Sequence, residues 1–197
     1  MRTRQYILEA AERMIQTRGL ARLTNKEIAE AAGCAEATLY KHFETKEALI
    51  LAAIEENLPD FLTVVREDRI GERSIEANMQ FIALAAIRYY RKLVPLTTAL
   101  FADIDLLAHF RNWMQEHKGG PLSIYEVVAK YVAGEQRLGR LKPEIEPFSF
   151  AALLLGACHQ YVYVQYFQGH DPFPVSEEQF VAGIVHTALL GGGVPQK

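Results

Sequence analysis

The four residues Thr24-Asn25-Lys26-Glu27 constrain this chain more than any other short stretch. They read as a capping box, in which the threonine hydroxyl accepts from the Glu27 amide while the Glu27 carboxylate reaches back to Thr24, so a helix must begin here. That helix is short. Ile28, Ala29 and Ala32 fall on one face, and Gly33 ends it, because glycine takes the left-handed closing conformation at little cost. A second short helix is predicted over about 35–43, and Thr45 can cap another from Lys46 to about Asn57, with Leu49, Ile50 and Ala53 apolar. Ahead of the box, Ile7, Ala11, Met14 and Ile15 recur at helical spacing between about Arg2 and Thr17, before an Arg18-Gly19 stop.

Beyond Pro59 the segments lengthen and gain aromatics. Residues 74–93 put Ile75, Met79, Ile82, Ala86 and Tyr89 or Tyr90 on one stripe, with Phe81, Leu84, Ala85 and Ile87 on other faces, as in a central buried helix. Pro95 predicts an interruption, followed by helices at about 96–108 and 109–117 or by one kinked helix. Gly119-Gly120-Pro121 marks a break, with the proline suited to the first turn of a helix carrying Leu122, Tyr125, Val128, Ala129 and Val132. That helix ends near Gly139, and 139–147 is a loop. Two last helices follow at about 148–168 and 177–190, the second opened by another capping box, Ser176-Glu177-Glu178-Gln179. No stretch alternates β-branched and polar residues, so the expected class is all-α.

Composition narrows the function. Half of the 197 residues are apolar and 23% are charged, which excludes a disordered chain. Cys34 and Cys158 make neither a disulfide framework nor a metal site, which points to a reducing cytoplasm with no metal and no cofactor. The amphipathic start predicts no signal peptide. The apolar run from Phe148 to Phe167 contains Ser149, His159, Gln160 and Gln165 and lacks basic flanks, so a buried helix is expected rather than a membrane span. His-Glu-x-x-His, P-loop, Gly-x-Gly-x-x-Gly and Gly-x-Ser-x-Gly patterns are all missing, which argues against an enzyme; Gly191-Gly192-Gly193 comes too late to cradle a phosphate before a helix.

The 27 residues from Leu23 to Leu49 have the organisation of a helix-turn-helix, whose second short helix enters the major groove. Such a helix needs polar, aromatic and cationic groups on one face and apolar anchors on the other. Thr38, Lys41 and His42 suit the outer face, with Ala37 beside them, while Leu39 and Phe43 at i and i+4 pin the helix inward. The Tyr40 phenol is long enough to reach a phosphate. Lys46 adds its charge to free amides at a helix start, and Thr24 occupies a similar position. Glu36 can accept from a cytosine amine, or simply favour its helix start through the macrodipole. Arg2 and Arg4 suit either a minor-groove arm or a solubilising terminus.

Thr24 through Gly33, then Thr38-Leu39-Tyr40-Lys41-His42-Phe43 and Lys46-Glu47-Ala48-Leu49, resemble in register the DNA-binding domain of the TetR family of bacterial regulators. One departure is Ala35, where the family often has a capping serine. The resemblance implies a DNA-binding domain at 1–46 with a connecting helix to about 57, and an effector-binding and dimerisation domain at 47–197. It further implies a cytoplasmic homodimer joined through the last two helices. This would be a repressor released from a palindromic operator by a small molecule, apolar or aromatic given the aromatic-rich second part. Met79, Trp113, Tyr125 and Cys158 are the candidate effector contacts. A helical carrier with a merely structural N-terminal bundle, or a second domain that binds a protein partner, are the alternatives.

The net charge of −3 conceals a division along the chain. Residues 1–46 hold eight Lys plus Arg against six acids, net +2, whereas 47–197 hold 13 against 18, net −5. DNA contact is therefore expected to rest on a few placed phosphate contacts rather than on a broad basic field.

Overall fold

The computed structural model describes residues 2–18, 23–65, 69–117, 120 and 122–190, and every regular element among them is helical. In chain order these are α1 (Arg2–Arg18), α2 (Asn25–Ala31), α3 (Glu36–His42), α4 (Lys46–Leu62), α5 (Ile75–Phe101), α6 (Ile104–His117), α7 (Leu122–Arg137), α8 (Pro147–Gln168) and α9 (Glu177–Leu190). The expected stop at Gly19, the expected start at Pro121 and the Gly191-Gly192-Gly193 run lie outside the described residues.

Local side-chain chemistry sets most of the boundaries. Thr24 caps α2 with both halves of its box made, and Thr45 Oγ1 accepts from the Ala48 amide at 3.0 Å to open α4. The Ser176 hydroxyl accepts from the Gln179 amide at 3.3 Å while Gln179 Oε1 accepts from the Ser176 amide at 3.0 Å. Glu146 caps α8 through the amides of Phe148 and Ser149, and Gly169 closes it at φ 72°.

Pro95 does not interrupt its helix, contrary to the sequence expectation: α5 runs through it to Phe101. Burial of Val94, Pro95 and Leu96 outweighs one missing backbone bond, and the Thr98 hydroxyl donates to the Val94 carbonyl at 2.7 Å in the same turn. The break comes at Asp103, whose carboxylate accepts from the amides of Asp105 (3.1 Å) and Leu106 (3.0 Å) and so starts α6. Helix α4 likewise continues past position 57 to Leu62.

The helices pack into two units, Met1–Pro59 with Lys92–Gly119, and Asp60–Arg91 with Gly120–Lys197. In the first, α1 packs on α2 and α3 around Ile7, Ile15, Ile28, Leu39 and Leu49, and the same core takes in Leu96, Leu100 and Leu106 from α5 and α6. In the second, α7 packs on α8 and α8 on α9. Buried within it are Met79, Ile82 and Tyr90 of α5, Val128 and Val132 of α7, Leu155, Cys158 and Tyr161 of α8, and Val185 of α9.

A buried polar clamp also lies in the second unit. Asn78 donates to the Tyr131 hydroxyl at 2.8 Å and to the Glu72 carbonyl at 2.9 Å, and the Tyr131 hydroxyl donates to Glu135 at 2.6 Å. The Arg140 guanidinium lies 3.3 Å from the other Glu135 oxygen, and the Gly71 amide donates to Glu135 at 3.2 Å. These bonds hold residues 69–74 on the end of α7. Burial and the Glu135 hydrogen bond keep the Tyr131 phenol protonated far into the alkaline range.

Candidate functional site

Helix α3 carries a sharp division between its faces. Leu39 and the following Phe43 are buried, whereas Glu36, Ala37, Tyr40, Lys41 and His42 are exposed and Thr38 is half-buried. The i and i+4 anchors seat the helix on α1 and α2, which leaves its polar side outward. Ala35 at the N-cap makes no side-chain bond, so no side chain holds the start of α3.

Three residues at the start of α2 tie this face together. Asn25 donates its amide N–H to the Tyr40 hydroxyl at 3.0 Å, and the Lys46 ammonium donates to the Leu23 carbonyl at 2.7 Å. Thr24 stands between those two anchor points, exposed, with its hydroxyl in the capping box. The starts of α2 and α4 and the middle of α3 thereby meet at 23–25, which gathers Thr24, Tyr40 and Lys46 into one patch. Hydrogen bonds to Thr24, together with the Arg18 guanidinium, hold the Glu27 carboxyl below the usual carboxylate range. The box is therefore charged at neutral pH.

Asn25 and the Leu23 carbonyl are the members that sequence reasoning missed. In the sequence Asn25 is only the second residue of a capping box, and its partner lies 15 positions away, beyond any local periodicity. Arg4 also departs from one expectation. It lies within α1, pairs with Glu56 at 3.3 Å and stacks over the Phe43 ring at 5.4 Å, so it packs the bundle instead of forming a loose arm.

The four candidate effector contacts divide between the units. Met79, Tyr125 and Cys158 belong to the second, and Trp113 belongs to the first, where it stacks on Phe110 at 5.9 Å. Met79 and Cys158 are fully buried, and burial pushes the Cys158 thiol up to about 12, so it stays protonated and unreactive. Tyr125 is half-buried and stacks on Phe148 at 6.0 Å. Beside it, the buried Tyr90 hydroxyl makes no hydrogen bond of ordinary geometry, and burial with the neighbouring Tyr125 phenol holds it protonated. His159 meets the Tyr90 ring edge-on at 5.1 Å, and burial lowers its pKa.

An open apolar cleft of about 610 Å³ runs between α8 and α9, lined by Leu153, Ala157, Phe180, Ile184 and Ala188 among others. None of the four candidate effector residues lines it. Leu153 and Phe167 on the same helix are 69% and 77% exposed, so α8 is apolar outward as well as inward. Among the described residues no helix is long and apolar enough to cross a membrane, and no group of His, Cys, Asp and Glu is placed to hold a metal.

Comparison with known proteins agrees with this geometry. The family profile described as bacterial regulatory proteins, tetR family, matches residues 7–53. An uncharacterised HTH-type transcriptional regulator of Mycobacterium tuberculosis is 38% identical over 94 residues, which is 48% of this chain and 40% of the relative. The chain thus matches less than half the length of that relative. A TetR-family transcriptional regulator from Mesorhizobium loti superposes with a TM-score of 0.75 at 20% identity, covering 96% of both chains. The transcriptional regulator FadR from Bacillus subtilis, solved in complex with stearoyl-CoA, superposes at 0.72 with 15% identity, covering 95% of this chain and 98% of that one. At such identities the likeness is one of fold.

Proposed function

We propose that this chain, whose residues 7–53 match the profile of bacterial regulatory proteins, tetR family, is a ligand-responsive transcriptional repressor of that family. It leaves a palindromic operator when a small apolar or aromatic effector binds. The observation that carries the DNA-binding part is the two-faced α3, anchored by Leu39 and Phe43, with Tyr40 and Lys46 drawn to one patch by residues 23–25. In this reading Tyr40, Lys46 and Thr24 hold phosphates, and Thr38, Lys41, His42, Ala37 and Glu36 face the groove.

The outward apolar face of α8 and α9 supports a homodimer built through these two helices, since an apolar surface of this kind needs a partner. Two recognition helices related by the twofold axis then meet major grooves about 34 Å apart. For the effector, the support is chemical: the buried Met79, Tyr90 and Cys158 with Tyr125 beside them give an apolar setting with a few polar tips. The stearoyl-CoA held by the Bacillus subtilis regulator of the same fold is consistent with an apolar ligand. An effector acts only by the difference in its affinity for the two dimer geometries.

DNase footprinting on the DNA flanking this protein's own gene tests the reading. Two protected half-sites with twofold symmetry, about one helical turn apart, are expected. Absence of protection at any protein concentration that saturates a control duplex would count against it.

A further inference from the structure

Asn25 is half-buried, and its side-chain carbonyl Oδ1 lies out of solvent with no hydrogen-bond partner, while its amide donates to the Tyr40 hydroxyl at 3.0 Å. A side chain kept for the fold alone gains little from a buried unpaired carbonyl. What the arrangement achieves is to fix the phenol. A phenol oxygen accepts on its lone pairs and donates one proton. With Asn25 donating to the oxygen, the Tyr40 proton must point elsewhere, and among the described residues nothing else receives it.

From this we infer that Asn25 is a positioning residue for DNA binding: it aims the Tyr40 O–H outward to donate to a backbone phosphate. The chain of donors runs from the Asn25 amide to the Tyr40 oxygen and from the Tyr40 proton to the phosphate, and each bond polarises the next. Tyr40 keeps half its surface in solvent at 47% exposure, so the phosphate can approach it. Asn25 belongs to the first turn of α2 and is joined through Thr24 to Leu23, whose carbonyl holds Lys46, so the same short segment sets both phosphate-binding groups. This inference rests on the assignment of Tyr40 to a phosphate.

The test is a double-mutant cycle on the full-length protein, read by fluorescence anisotropy with a labelled random-sequence duplex of about 30 base pairs at low salt, because phosphate contacts do not depend on sequence. Tyr40→Phe and Asn25→Ala should each weaken binding about fivefold, and the double variant should bind no worse than Tyr40→Phe alone. Asn25→Asp, which keeps the shape and favours a helix start, should weaken binding more than Asn25→Ala, since the carboxylate accepts the phenol's hydrogen bond in place of the phosphate and repels phosphate. It also serves if the alanine variant folds poorly. The melting temperature of Asn25→Ala should be unchanged or raised, which a structural role would not give. Losses that multiply in the double variant overturn the inference. So does wild-type binding by Asn25→Ala alongside weakened Tyr40→Phe, a result that leaves the phosphate contact standing. Unchanged binding by Tyr40→Phe itself removes both the contact and the inference.

Discussion

The Lys46 ammonium lies 2.7 Å from the carbonyl oxygen of Leu23, so the first residue of α4 is fastened to the chain just ahead of α2. The bond shares one cation between the fold and the proposed phosphate site. Lys46→Met keeps most of the stem but leaves the carbonyl without this donor. It should lower unfolding stability by about 1 kcal/mol, whereas Tyr40→Phe, on an exposed side chain, should leave it within about 0.5 kcal/mol. Urea titration of the two variants without DNA checks the contrast.

Helix α3 begins on Ala35 with no side-chain cap, which makes it a site for gain of stability. Ala35→Ser supplies an acceptor for the free amides of the first turn and should stabilise the protein by about 1 kcal/mol. Faster amide exchange at 36–39 in the parent than in the variant is the accompanying hydrogen-exchange result.

The capping box at α2 gives a pH dependence of definite sign. The folded pKa of Glu27 lies below its ordinary value of 4.5, so its contribution is complete above that value and is lost as the pH falls through the depressed folded value. Thr24→Ala removes the hydroxyl that donates to the Glu27 carboxylate and accepts from the Glu27 amide, while the backbone N–H of residue 24 still donates to that carboxylate. The variant should be less stable at neutral pH, and its stability should fall less than that of the parent between about pH 5 and 3. Thermal melts across that range read both effects.

Gly134 is set by close packing, not by backbone angle. A Cβ there would lie 2.4 Å from Ile70 Cδ1 and 3.0 Å from Cγ1. Gly134→Ala should therefore cost about 1–3 kcal/mol, and Ile70→Ala in the same chain should recover part of it. Full additivity of the two losses in chemical denaturation would contradict the proposed overlap.

The extent to which this molecule is legible from its residues depends on how local each cause is. The capping boxes at Thr24 and Ser176, the buried face of α1 and the spans of α8 and α9 follow from neighbours within one or two turns, and they are read correctly. Pro95 misleads because the burial that carries α5 through it comes from packing outside the turn. The outward side of α3 is legible from the Leu39 and Phe43 spacing. The Asn25–Tyr40 and Lys46–Leu23 bonds are not, since they join positions 15 and 23 residues apart. The candidate effector contacts follow from periodicity and polarity alone, and periodicity says which face is buried without saying what lies opposite it. Trp113 shares a unit with α1 to α3 because α6 contributes to that core, a placement no local pattern announces.

In the proposed function, Tyr40 and Lys46 grip the DNA backbone from the patch assembled at 23–25. The most direct measurement is the salt dependence of binding for Tyr40→Phe/Lys46→Met beside the parent, on operator and random duplexes. Loss of the lysine contact should reduce the slope of log K against log salt by about one per protomer. Affinity should fall by a similar factor on both duplexes, with the tyrosine adding loss but no further slope. A variant whose slope and affinities match the parent's would show that the backbone is held elsewhere.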